Sequence, residues 1–342
     1  MTRWSVARVL TTFEMYSLIF VASRSQAFAS SKEERVLDLD FQNSNFSSAM
    51  TIYSLAGPNA LARSGLVERQ EKLQQHCEEI PDEEIHKRDV LPEMFHHILV
   101  DEKHKLLYCY VPKVACTNWK RVFMIVTGKW EGNDPLEIPA NQAHAAGNLE
   151  RLSNYSMPEI EEKLATYNKF IVVRHPLERL LSAYRNKFET KQETSSIYFQ
   201  TRFGKKIVKK YRKNATKESL LKGDDVTFSE FVDFVTGGAE NETHNEHWRS
   251  IYELCHPCIV NYNLVSKYES LTEDATEILE RLGAGWVRFP TKPQSRESTS
   301  KKLDRYYSSL SLKQLQKLTD LYRLDLRLFD YSLEDVLGFS LA

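Results

Sequence analysis

Residues 110–121 read YVPKVACTNWKR and join a β-rich run, LLYCYV, to a helical pattern. A helix N-terminus offers backbone N–H groups without intrahelical partners and the positive end of the helix dipole, so it attracts anions. Lys113 brings a full charge to that point, and Thr117 and Asn118 add side-chain hydrogen bonds. The stretch Pro112, Lys113, Val114, Ala115, Cys116, Thr117 and Asn118 is therefore a candidate cradle for a phosphate-like group. The P-loop string, GxxxxGK followed by Ser or Thr, is absent, so an ordinary ATPase or nucleotide kinase motif does not fit. A lone lysine at a strand end is ordinarily a solvated turn residue, and that is the competing role for Lys113.

A second unit of the same build begins at Lys169. Its strand is FIVV, with Arg174 and His175 at the carboxyl end, and Pro176 suits the first helical position. Leu177, Leu180, Leu181, Tyr184 and Phe188 form one apolar stripe, with Arg179, Ser182 and Arg185 off it. The plain roles here are an Arg174–Glu178 ion pair and a helix-surface Ser182.

The elements that must hold these loops are legible. Phe95 to Val111 reads as a hairpin about a DEKH turn. Thr117 is the expected N-cap of the next helix, with Trp119, Val122, Phe123 and Val126 at helical spacing and Gly128 at its end. A further strand is expected over 259–268, followed by a helix capped near Thr272 and closed by Gly283. A last helix is expected from Ser311 to Leu324. Strands alternating with helices predict an α/β fold with a central, mainly parallel sheet.

The chain has 342 residues, 42% of them hydrophobic, enough for a substantial core. Forty-six Lys and Arg against forty-seven Asp and Glu leave global charge silent about partners. Residues 9–23 are largely apolar behind Arg3 and Arg8, the pattern of a signal anchor or signal peptide over 1–25, although the run holds Glu14. Residues 26–92 are polar and irregular and read as a stem, with a short helix near 66–79, ahead of a lumenal catalytic domain over 93–342. Glycosylation triplets at Asn45, Asn154, Asn214 and Asn241 agree with a lumenal chain. Of the cysteines, Cys255 and Cys258 form a lone CxxC, short of the ligands a structural zinc needs. A disulfide with each other, or with Cys77 or Cys109, is expected in an oxidising lumen. Cys116 reads as a small loop residue.

The motifs together resemble those of the Golgi carbohydrate sulfotransferases, in the branch that holds the chondroitin 4-sulfotransferases, the N-acetylgalactosamine 4-sulfotransferases and the HNK-1 sulfotransferase. VPKVACTNWKR at 111–121 resembles that family's 5′-phosphosulfate loop, and VVRHPLERLLSAYRNKF at 172–188 its 3′-phosphate segment. NEHW, LCHPC, SKYESL and LYRLDLRLFDYS extend the likeness over roughly 93–332, and IPANQAH at 138–144 is most like the chondroitin 4-sulfotransferases. The resemblance implies the PAPS-dependent sulfotransferase fold, with 3′-phosphoadenosine 5′-phosphosulfate (PAPS) as donor and no metal. It places Lys113 at the leaving phosphate, and Arg174 and Ser182 on the 3′-phosphate, within a run from Arg174 through His175, Pro176, Leu177, Glu178, Arg179, Leu180 and Leu181 to Ser182. Two departures stand out: family members usually have Glu where His175 stands, and they have a cleaner anchor.

A base must take the acceptor proton, and histidine titrates in the useful range. His144 ranks first, His247 second, ahead of His175, His244 and His256, with Glu246 as a carboxylate alternative. For any of these histidines the plain role is a hydrogen bond within its own loop. Residues 202–222 hold nine Lys or Arg and one Glu, interleaved with Phe203, Ile207, Val208 and Tyr211. Such a run is ordinarily a solvated helix face. With the family likeness, the track from Arg202 to Lys222 suits a chondroitin or dermatan chain rather than nucleic acid. The expected enzyme transfers sulfate from PAPS to the 4-hydroxyl of N-acetylgalactosamine at a Golgi membrane. The rivals are a sulfotransferase for terminal N-acetylgalactosamine on N-glycans or for another glycan, and a non-catalytic glycosaminoglycan-binding protein of the same fold.

Overall fold

The computed structural model describes residues 59–81, 85, 90–190, 194–237, 245–291 and 299–338. The N-terminal apolar run, Asn45, Asn241 and His244 lie outside them. The first element, α1 (Ala60–Glu78), falls in the stretch read as stem, yet Leu66 and Leu73 are in the main core. Arg69 explains the attachment. Its guanidinium makes two 2.8 Å bonds to the buried carboxylate of Asp274 and donates to the Val265 carbonyl at 2.7 Å. The folded unit therefore starts well before residue 93.

The expected hairpin forms as β1 (Ile98–Asp101) and β2 (Leu106–Cys109), antiparallel with Ile98 opposite Cys109. Asp101 sets the turn: its carboxylate accepts the N–H groups of Lys103 at 3.0 Å and His104 at 3.2 Å. After β2 come α2 (Cys116–Val126) and α3 (Met157–Thr166), the latter started by a Ser156–Glu159 capping box. Next are β3 (Asn168–Val173), α4 (Pro176–Tyr184), α5 (Lys205–Tyr211) and α6 (Phe228–Gly237). They are followed by β4 (Leu264–Lys267), α7 (Leu271–Arg281) and α8 (Leu312–Leu321). The sheet order is β1-β2-β3-β4, with β2, β3 and β4 mutually parallel. Strands β1 and β2 are buried along their whole length, and β3 and β4 nearly so, because helices cover both faces.

Several expected boundaries shift. Ala115, not Thr117, precedes α2, and no side chain caps it. Helix α7 starts at Leu271 rather than Thr272, with the Ser270 hydroxyl donating to Asp274 at 2.8 Å. The last expected helix breaks at Tyr322 into α8 and a short turn, Arg323–Leu328. The strand expected over 259–268 shrinks to Leu264–Lys267, because Pro257–Val260 is helical.

The same region explains the cysteines. His256 is left-handed, with φ 43°, and kinks the chain between two short helices. The kink sends Cys255 to Cys109 on β2 and Cys258 to Cys77 on α1, so the CxxC residues bond outward and not to each other. Cys116 is a free thiol.

Two apolar clusters result. One surrounds the sheet, with Tyr108, Trp119 and Phe170 at its centre. The other lies under α4, where Trp248 is ringed by Phe199, Phe203, Phe231 and Phe234 at 5.4–6.4 Å between centroids. Helix α5 and the turn before it join this second cluster, α5 through Ile207 and Val208 and the turn through Phe203. Its approach is so close that a Cβ on Gly204 would stand 2.1 Å from the Gly223 carbonyl oxygen.

The Cys77–Cys258 bridge closes a loop of 181 residues and anchors α1. Replacing both cysteines by serine should cost about 2–5 kcal/mol of unfolding free energy. Cys116→Ser should change it by less than about 0.5 kcal/mol, as expected away from such constraints. Denaturant midpoints of the two variants check this.

Candidate active site

Because β2 and β3 are adjacent and parallel, with Cys109 opposite Ile171, the two loops of interest leave the same end of the sheet side by side. Crevices at the carboxyl ends of parallel strands are where open α/β sheets bind ligands. The first loop is bent by backbone conformation. Lys113 has φ 72° and Ala115 φ 54°, left-handed values that cost on the order of 1 kcal/mol or more each in a non-glycine residue. Buried Val114 between them fixes the bend in the core. The outcome is a helix, α2, that begins with no capping side chain and no acid in its first turn. The Asn118 and Trp119 N–H groups bond the Ala115 carbonyl, while those of Cys116 and Thr117 have no backbone partner among the described residues, a fit for an anionic group.

The second loop supports the first. Arg174 donates to the Lys113 carbonyl at 3.4 Å, pairs with Glu178 at 3.1 Å, and stacks 4.3 Å from the centre of the Tyr268 ring. The Glu178 pair expected as its plain role is thus present, together with a link between the two loops. Lys113 Nζ donates to Asn186 Oδ1 at 3.1 Å. Ser182 is half-buried, and its hydroxyl makes no hydrogen bond among the described residues.

Arg179, expected off the apolar stripe, is instead 1% exposed. Its guanidinium donates to the carbonyls of Pro112 at 2.9 Å, Arg249 at 2.5 Å and Glu246 at 2.8 Å. Leu177, Leu180 and Leu181 point into the second cluster. His175 caps α4, its Nδ1 accepting the Leu177 N–H at 3.2 Å while its Nε2 meets the Ser332 carbonyl at 2.8 Å. Burial holds its imidazole below the usual range. The side chains of these five residues are buried in the protein and support the loop.

His144 lies beside the first two turns of α2, exposed, with both ring nitrogens turned toward that helix. Nε2 is 2.9 Å from Thr117 Oγ1 and Nδ1 is 3.5 Å from Lys120 Nζ. Desolvation, then the charges of Lys120, Lys187 and Arg121, push it down to about 4. His247 bonds its own loop, Nδ1 to Asn245 Oδ1 at 2.8 Å, and burial pushes it down to about 2. Asn118 spends its amide on the Pro290 carbonyl at 3.1 Å. Burial raises the Cys116 thiol, which disfavours the thiolate a nucleophile requires. Lys120, Asn186 and Tyr268 were not foreseen. Lys120 stands one turn beyond Thr117 in the same motif, and the other two come into place through tertiary packing alone.

A family model described as the sulfotransferase family matches residues 96–332. The chain belongs to the sulfotransferase family. It is 48% identical over 255 residues to carbohydrate sulfotransferase 11 of Mus musculus, covering 73% of this chain and 72% of that one. It is 46% identical to carbohydrate sulfotransferase 11 of Danio rerio, with the same coverage, and 41% identical to carbohydrate sulfotransferase 14 of Homo sapiens over 71% of this chain and 62% of that one. No solved structure gives a significant match. The chain is thus a carbohydrate sulfotransferase, and the family implies PAPS as its donor. Among the described residues no cluster of His, Cys, Asp and Glu could hold a metal ion, and no helix is long and apolar enough to cross a membrane.

The Arg179 bonds yield a prediction about stability. Arg179→Met would leave three carbonyls without their partner and should cost about 3–5 kcal/mol. Arg179→Lys, with a point charge in place of a fork, should recover only part of that. Urea unfolding of the two variants measures both.

Proposed function

We propose that this enzyme transfers sulfate from PAPS to the 4-hydroxyl of N-acetylgalactosamine in chondroitin or dermatan chains, at a Golgi membrane to which its N-terminal segment anchors it. The observation that carries the donor side is the pairing of an uncapped, acid-free helix start just after Lys113 with Arg174 at the end of the neighbouring strand β3 and Ser182 on the helix α4 that follows it. Bound PAPS supplies an activated sulfuryl group on a phosphate leaving group. Lys113 and the first-turn N–H groups of α2 hold negative charge there as it builds. Arg174 and Ser182 hold the 3′-phosphate, with the Arg174 plane fixed by Glu178 and Tyr268.

His144 takes the acceptor proton. Thr117 occupies its Nε2, so the sugar hydroxyl must replace the Thr117 hydroxyl there. A base works only when unprotonated. With its pKa depressed from 6.5 to about 4, His144 stays neutral as pH falls through that window and loses function as pH falls through the lower value. Negative charge on a bound donor moves that edge upward. The acid edge of kcat/KM should therefore lie below 6.5. His144→Asn should lower kcat by about 10²–10⁴-fold, the usual worth of a general base. A pH–rate profile whose acid edge survives in His144→Asn would assign the base elsewhere.

The acceptor reading draws on the chondroitin-4-sulfotransferase-like IPANQAH string and on the exposed cations Arg202, Lys206, Lys209, Lys210, Lys213 and Lys217. Phe203, Ile207 and Val208 between them are core, while Leu220 and Leu221 near the end of the track stay exposed. Arg212 and Lys222 are spent on Glu230, Asp225 and Glu218. Asn154 and Asn214 are exposed, as N-glycan acceptors must be.

The decisive assay follows labelled sulfate from PAPS into desulfated chondroitin, dermatan and a glycan ending in N-acetylgalactosamine, with Lys113→Ala alongside. Label at the 4-hydroxyl of chondroitin, reduced at least about 100-fold in the variant by loss of one charge stabiliser, is the expected result. Transfer only to the N-glycan would reassign the acceptor.

A further inference from the structure

Lys120 is a cation placed where the fold gives it no anion. It is 6% exposed, on the second turn of α2. Its ammonium stands 3.7 Å from the centre of the Tyr110 ring and 3.5 Å from His144 Nδ1. Among the described residues, no carboxylate comes within 4.0 Å of it. Glu246 acts on it only at a distance; its carboxylate lies 3.7 Å from His97 Nε2, an imidazole that burial pushes down to about 3 and so keeps neutral. Burying an ammonium against a ring and a neutral imidazole leaves it short of the charge partner that burial ordinarily demands. Desolvation accordingly pulls its pKa down.

A second cation shares the same ring. Arg151 donates to the Tyr110 hydroxyl at 3.2 Å and to the His96 carbonyl at 3.1 Å, and its guanidinium carbon lies 5.7 Å from the ring centre. It also meets the His96 ring and has no carboxylate partner among the described residues. Lys120 and Arg151 therefore flank Tyr110 beside the proposed base. They are contacted by neither Arg174 nor Lys113, which serve the donor loops.

We propose that Lys120 and Arg151, set around Tyr110, form a subsite for the acceptor's carboxylate, so that a uronate next to the reacting hexosamine positions its hydroxyl at His144. This rests on the glycosaminoglycan reading above. A uronate-containing repeat carries a carboxylate on each sugar that neighbours a hexosamine, which is one anion for this place. The contact has a consequence at the base. While Lys120 Nζ faces Nδ1, the imidazole proton belongs on Nε2. A carboxylate that draws the ammonium away lets the proton sit on Nδ1 and leaves Nε2 open to the acceptor hydroxyl.

The test compares chondroitin with carboxyl-reduced chondroitin, whose uronates have become neutral sugars, in wild type, Lys120→Met and Arg151→Gln. Loss of one charge-assisted contact is worth roughly 10- to 100-fold in kcat/KM. Wild type should lose that factor on the reduced polymer. Lys120→Met should lose it on native chondroitin and then distinguish the two polymers by no more than about twofold, as expected when both changes remove one contact. Affinity for 3′-phosphoadenosine 5′-phosphate, read by calorimetry, should stay within about twofold, since Lys120, although it follows the first loop on α2, contacts Tyr110 and His144 and neither Lys113 nor Arg174. Arg151→Gln, at a half-exposed position, should show the same loss of discrimination and serves if Lys120→Met folds poorly. Equal rates of wild type on both polymers would overturn the subsite while leaving chondroitin as acceptor. A full further loss of Lys120→Met on the reduced polymer, or a tenfold loss of nucleotide affinity, would overturn it too, making Lys120 a structural or donor residue. Transfer by wild type to neither polymer, with nucleotide binding intact, would end both this proposal and the acceptor reading.

Discussion

The buried guanidinium of Arg179 is the fixture on which the site depends. It collects three backbone carbonyls from two separate segments, Pro112 ahead of the first loop, and Glu246 and Arg249 in the segment that carries Trp248. Burial depresses its pKa, and among the described residues no carboxylate pairs with it; three carbonyl dipoles accept its hydrogen bonds instead. A planar fork does this and a point charge does not. Because Arg179 sits on α4, the second strand-loop-helix unit clamps the first. The left-handed backbone at Lys113 and Ala115 is held on one side by this clamp and on the other by buried Val114.

A strained, uncapped helix start is poor for stability and good for binding, because every donor left unpaired by the protein is available to a ligand. Stability is supplied elsewhere. The Cys109–Cys255 bridge ties β2 to the short helix Ile251–Cys255, whose first N–H groups are capped by Asp325 at 2.7 and 2.8 Å. The Cys77–Cys258 bridge and the Arg69–Asp274 pair tie α1 to the far side of the sheet. The strand ends can therefore carry exposed charge and bent backbone without loosening the sheet.

Charge around the crevice is sorted by position. Lys113 and Arg174 lie with the donor loops, Lys120 and Arg151 with Tyr110, and the α5 cations stand on the surface above the second cluster. His144 sits beside Lys120, and its pKa is depressed by desolvation first and then by the charges of Lys120, Lys187 and Arg121. Exposed cations of α5 contribute through long-range attraction that salt screens. Partly buried ones such as Lys120 are screened far less and so set orientation.

The sequence by itself determined the α/β alternation and the two strand-loop-helix units, because those rest on local rules: alternation, helical spacing and Pro176 at a helix start. The family likeness followed from the same strings. Only the tertiary structure decided what depends on distant partners. Arg179 looked like a surface residue until three carbonyls from residues 112, 246 and 249 were brought around it. The stem-like α1 joined the core through Arg69 and Cys77, whose partners are some 180 to 205 residues away. The apolar residues among the α5 cations turned inward, and Lys120 came to rest on Tyr110 beside His144. Pattern along a chain fixes which face a residue presents; it does not fix what meets that face, since packing partners are set by the closing of the whole fold.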